Sequence, residues 1–131
     1  MNSRKGKYGM KINFESEKPI FAQIAEGIED AILSGAFPEG EKIPSITELS
    51  ASMKINPATA NKGVNLLVDS DIVYKKRGLG MFVQEGAVEM LKEKRKKELI
   101  EDQVTKLIEE AMRLGLTKDD LVSIINEKFA A

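Results

Sequence analysis

Thr59, Asn61 and Lys62 lie on the side of a helical repeat that its apolar residues, Ala60, Val64 and Leu67, leave free. An asparagine amide donates and accepts together, so Asn61 matches the N6 and N7 edge of adenine, while Thr59 suits a phosphate or a thymine methyl and Lys62 a phosphate. The amino end of such a helix also offers unpaired backbone N–H groups and the positive end of its dipole to an anion. Further along, Lys75-Lys76-Arg77 precedes Gly78-Leu79-Gly80, so three cations stand beside two glycines and the backbone there can approach a sugar-phosphate rail or a minor groove closely. This is chemistry for holding a polyanion.

Bond-making chemistry lacks its reagents. Histidine and cysteine are both absent, which excludes imidazole or thiolate zinc sites, cysteine nucleophiles and every triad with a histidine base. Aspartate and glutamate are abundant, but no pair is singled out by an apolar neighbourhood, and Gly78-Leu79-Gly80 lacks the strand-to-helix setting of a phosphate loop. No catalytic residue, metal or cofactor is indicated, and the chain does not read as an enzyme.

With 131 residues, 42% apolar and 31% charged, the chain is long enough for one domain or two small ones. Its net charge of −1 means that an anionic partner is held by a local patch. No uninterrupted apolar stretch approaches the roughly 20 residues of a bilayer helix, and the basic start, Met1 to Lys7, has no apolar signal core behind it. A cytoplasmic location follows as an expectation.

The elements that must position the cations and the amide can be read in order. Residues 1–10 suggest a mobile leader before a short strand at Lys11-Ile12-Asn13-Phe14. Helix one opens in a turn that tolerates Pro19, buries Phe21, Ile24, Ile28 and Ile32, and stops at Gly35. Residues 36–44, with Pro38, Gly40 and Pro44, read as a loop. Ser45-Ile46-Thr47-Glu48 has capping-box spacing and starts helix two, which buries Leu49 and Met53. Asn56 caps helix three, with Pro57 at its first position. Ile72 to Lys76 and Met81 to Val83 then favour a hairpin with a basic tip. The fold class is mainly α with a small β-hairpin: a winged helix-turn-helix over residues 1–84, then a helical hairpin over residues 85–131.

The ordered set Pro19-Ile20-Phe21-Ala22-Gln23-Ile24, Ile32-Leu33-Ser34-Gly35, Gly40-Glu41-Lys42-Ile43-Pro44-Ser45, Glu48-Leu49-Ser50, Ile55-Asn56-Pro57-Ala58-Thr59 and Arg77-Gly78-Leu79-Gly80-Met81-Phe82-Val83 resembles the DNA-binding domain of GntR-family bacterial transcription regulators. The resemblance implies DNA contacts at Ser45, Asn56, Ala58, Thr59, Asn61, Arg77 and Gly78. Thr47 stands where the family usually has an arginine, and its short hydroxyl cannot make a bidentate guanine contact. The wing also departs, reading Gly78-Leu79-Gly80-Met81 where the family often has a threonine after the second glycine. The binding mode carries over and the operator sequence does not.

In the carboxyl-terminal half, Ile100, Val104, Leu107, Ala111 and Leu114 recur at spacings of four and three, a seam of heptad type. Gly115 stops that helix. Thr117 caps a second one whose stripe is Leu121, Ile124, Ile125 and Phe129. Two helices cannot cover both stripes, so these residues are candidates for self-association. The short tail resembles the YtrA-type branch of the family, whose carboxyl-terminal part is a small dimerising unit. A homodimer predicts a palindromic operator with half-sites about 10 bp apart or a multiple, and repression by occlusion. The layout leaves room for an unidentified small effector at the junction of the halves. The rival reading is a winged-helix protein-interaction module in which helix three docks on an acidic protein.

Overall fold

The computed structural model describes residues 3–5 and 8–131, and these form two compact units divided between Lys92 and Glu93. The division falls within a helix, further along than the boundary expected at residue 84, because Ala87 and Leu91 are fully buried in the first unit's core.

The first unit opens with an antiparallel pair, β1 (Ser3–Lys5) and β2 (Lys11–Asn13). The expectation of a mobile leader thus meets a strand at Ser3–Lys5 and a buried Met10; its remainder at Met1, Asn2, Gly6 and Lys7 lies outside the described residues. Helix α1 (Ile20–Leu33) follows, with Pro19 at its N-cap and Gly35 beyond its end at φ 85°, a left-handed turn that glycine takes without steric cost. Helix α2 (Ile46–Met53) carries the expected capping box: the Ser45 hydroxyl accepts from Glu48 N at 3.1 Å, and the Glu48 carboxylate accepts from Ser45 N at 3.0 Å. Lys54, left-handed at φ 55°, ends it. Helix α3 (Pro57–Asp69) then starts from Asn56, whose Oδ1 accepts from Ala58 N at 2.7 Å.

Ile24, Ile28 and Ile32 of α1, Leu49 and Met53 of α2, and Ala60, Val64 and Leu67 of α3 close on one core. Each fully buried aliphatic side chain contributes on the order of 1.5–3 kcal/mol. Gly63 sets how closely α1 and α3 approach: a Cβ there would lie 2.7 Å from the Phe21 carbonyl oxygen and 2.9 Å from Ile24 Cβ.

Strands β3 (Val73–Lys76) and β4 (Gly80–Val83) form the wing, with Tyr74 opposite Phe82 and Lys76 opposite Gly80. The segment read as a loop contributes to it. Lys42 pairs with Phe82 in a single antiparallel bridge, with Ile43 N donating to Met81 O at 2.9 Å and Val83 N to Glu41 O at 3.0 Å. Gly40 N joins the pairing by donating to Val83 O at 2.8 Å, and Pro38 and Pro44 flank it; the three residues disguise it, since proline and glycine punctuate edge segments as readily as loops.

Helix α4 (Ala87–Glu98) begins in the first unit and is capped from a distance: the Glu39 carboxylate accepts from Gly86 N at 2.8 Å and Val88 N at 3.0 Å. Those two amides hold its carboxyl below the usual carboxylate range.

The second unit contains a π-helical segment, Leu99–Val104, then α5 (Thr105–Arg113) and α6 (Lys118–Ala130). Gly115, at φ 78°, lies in the turn, and Thr117 and Asp120 form a reciprocal box that caps α6. The seam read as one heptad register is therefore interrupted, because a π turn takes an extra residue and shifts the face that follows.

Candidate nucleic-acid interface

Helix α3 buries one side and exposes the other. Ala58, Asn61 and Lys62 are exposed and Thr59 is half-buried, and the 100° spacing of a helix places Ala58, Asn61, Lys62 and Asn65 on one side. Asn65, half-buried one turn beyond Asn61, was missed by sequence reasoning although the i,i+4 repeat of the amide was visible. The Lys62 ammonium is steadied by α1, lying 4.0 Å from the centroid of the Phe21 ring, a cation–π arrangement.

The amino end of α3 differs from expectation. Pro57 has no N–H, Ala58 N donates to Asn56 Oδ1, and Thr59 N and Ala60 N donate to Asn56 O at 3.0 and 3.1 Å. None of these amides is left for an anion, so an anion there would meet side chains and the helix dipole. Asn56 spends its carbonyl oxygen on the cap and keeps its amide N–H groups. Ser45 likewise accepts within its capping box and retains its hydroxyl proton as a donor, while Thr47 is exposed in the first turn of α2.

In the wing, Lys75, Lys76, Arg77 and Gly78 are all exposed, and Gly78 turns the tip at φ 77°. No ion pair holds the three cations among the described residues. Lys76 Nζ stands 4.7 Å from the centroid of Phe82, which stacks on Tyr74 with ring centroids 5.8 Å apart.

The second unit has its own surface. An apolar cavity of about 440 Å³ runs between α5 and α6, its walls including Val104, Leu107, Ile108, Leu121 and Ile125. Ala111 also lines it but is only 3% exposed, so it is taken up inside the hairpin. Ile100, Leu114, Ile124 and Phe129 lie outside that lining and are exposed, Phe129 to 88%. Ile108, Met112 and Val122 join the lining instead.

Comparison with known proteins decides the family. Residues 21–83 match the model of bacterial regulatory proteins, gntR family. The chain is 35% identical over 115 residues to the uncharacterized HTH-type transcriptional regulator YhcF of Bacillus subtilis, covering 86% of this chain and 92% of YhcF. The chain belongs to the GntR family. It is also 31% identical over 118 residues to the HTH-type transcriptional repressor YtrA of Bacillus subtilis, covering 90% of each, which puts its relatives in the YtrA-type branch. Among solved structures, a GntR family transcriptional regulator from Listeria monocytogenes superposes with a TM-score of 0.73 at 28% identity, over 87% of this chain and 98% of the other. A GntR regulator is a DNA-binding winged-helix protein and not an enzyme. No helix among the described residues is long and apolar enough to cross a membrane.

Proposed function

We propose that this GntR regulator is a cytoplasmic repressor that binds a palindromic operator as a homodimer. Asn61 reads a base edge from α3, Thr59, Lys62 and the remaining donors of Ser45, Thr47 and Asn56 hold the backbone, and Lys75, Lys76, Arg77 and Gly78 place the wing on the flanking sugar-phosphate. Ala58, exposed on the same side of α3, presents only a methyl group to the groove. The observation that carries the reading is the exposed Asn61–Lys62 face on a helix whose opposite side is locked into a winged-helix core.

The apolar surface of α5 and α6 supports pairing of two chains through the second unit, since exposed aliphatic surface of this extent is characteristic of an interface. The relative YtrA is itself a repressor, which supports occlusion of a promoter as the mode of action.

Selection of bound sites from random duplex DNA, with sizing of the complex, tests binding, palindromy and stoichiometry together. Enrichment of inverted half-sites about 10 bp apart or a multiple, bound by two chains, is expected. Enrichment of a single half-site by one chain would overturn the dimeric reading, and absence of any enrichment the DNA-binding assignments. A reporter driven from the selected site separates repression from activation.

A further inference from the structure

The wing has a charged outer face that its tip does not account for. Lys42, Phe82 and Tyr74 form one cross-strand row, because Lys42 bridges to Phe82 and Phe82 stands opposite Tyr74. Residues directly opposite in antiparallel pairs share a face. Lys76 and Gly80 form the next row on that face. The Lys42 stem crosses Gly80 so closely that a Cβ there would lie 2.6 Å from Lys42 Cε and 3.4 Å from its Nζ. Gly80 is thus the gap through which the Lys42 chain runs, while Lys76 Nζ stands over Phe82 on the same side.

No carboxylate answers the Lys42 ammonium: it is exposed and takes part in no ion pair among the described residues. Two unpaired ammonium groups on one sheet face repel each other and gain most from a line of phosphates. Lys42 also precedes Ser45 by three residues, so the cation stands in the segment joining the wing sheet to the start of α2.

We propose that Lys42 is a further DNA-binding residue, a phosphate contact seated by Gly80 and paired with Lys76, which extends the bound backbone from the wing tip along the outer sheet face. The assignment rests on the DNA-binding reading. A phosphate contact positions the protein and carries no sequence information, so its loss weakens all duplexes alike.

The test measures affinity for a fluorescently labelled mixed-sequence duplex across a salt series. Lys42→Met keeps the stem across Gly80 and removes the charge; Lys42→Arg keeps both. The expected result is a slope of log affinity against log salt shallower by about 0.9 per bound chain in Lys42→Met, and the wild-type slope in Lys42→Arg. Circular dichroism on each variant checks that the fold is intact, and Lys106→Met in the second unit, exposed and outside the lining of the α5–α6 groove, serves as the charge-loss control. A steep wild-type slope that Lys42→Met leaves unchanged, or that Lys106→Met reduces equally, overturns the Lys42 assignment and leaves DNA binding standing. A wild-type chain with no salt-dependent binding overturns both.

Discussion

The ammonium of Lys62 on α3 rests over the ring of Phe21 on α1, 4.0 Å from its centroid. One of the side chains proposed to meet phosphate is therefore held by the helix behind it and loses less freedom on binding than an unsupported lysine. Lys62→Ala should reduce affinity for every duplex and make the salt slope shallower by about 0.9. Phe21→Leu should leave that slope in place and lower fold stability by on the order of 0.5–1 kcal/mol from the lost cation–π contact, beyond the cost of the smaller side chain, as denaturant titration would record.

Asn61 should behave differently. Asn61→Ala should cost roughly 1–3 kcal/mol on the selected operator and almost nothing on a scrambled duplex. Titrations on both would reveal an equal loss if the amide only touched the backbone.

Gly63 is a packing requirement. A methyl group there meets the Phe21 carbonyl at 2.7 Å and Ile24 Cβ at 2.9 Å, atoms of a helix that cannot retreat without disturbing Ile28 and Ile32 behind it. Gly63→Ala should destabilise the first unit by about 1–3 kcal/mol, although alanine is the better helix former. A thermal midpoint equal to wild type would show that α1 and α3 are less tightly apposed.

Glu39 gives a pH signature. Its folded carboxyl titrates below the ordinary value because two amides favour the charged form. The stabilisation is accordingly present above the unfolded carboxyl range and is lost as pH falls through the folded value. Glu39→Gln should be less stable than wild type near neutrality, and the gap should close in acid. Denaturation at a series of pH values would record it, and a gap independent of pH would assign the effect to something other than the carboxylate.

Self-association should yield to one charge in the apolar groove. Ile125→Glu should shift sedimentation toward the monomer and weaken binding to the full operator more than to a half-site, since coupling between half-sites is lost.

What could be read in the residues was local. Ser45 with Glu48, Asn56 with Pro57, and Thr117 with Asp120 declare helix starts within four positions, and all three caps are present. The apolar periods of α1 and α3 likewise state which side is buried. What escaped depends on partners distant in sequence: the bridge of Lys42 to Phe82, and Glu39 capping a helix 47 residues on. The amino end of α3 escaped for another reason. Asn56 was visible as a cap, but its Oδ1 and carbonyl together consume the amides that a generic helix start would leave open. The π turn at Leu99–Val104 has no compositional signature, so the regular spacing of Ile100, Val104 and Leu107 concealed it.

The burial of Ala87 and Leu91 in the first unit bears on how the protein can be cut. The family match ends at residue 83, but a fragment stopped there would open a hole where Leu91 sat, a loss of about 2–5 kcal/mol by analogy with buried leucine truncation. It would also leave Glu39 facing solvent. A stable excised reader head therefore includes the first turns of α4, through Lys92.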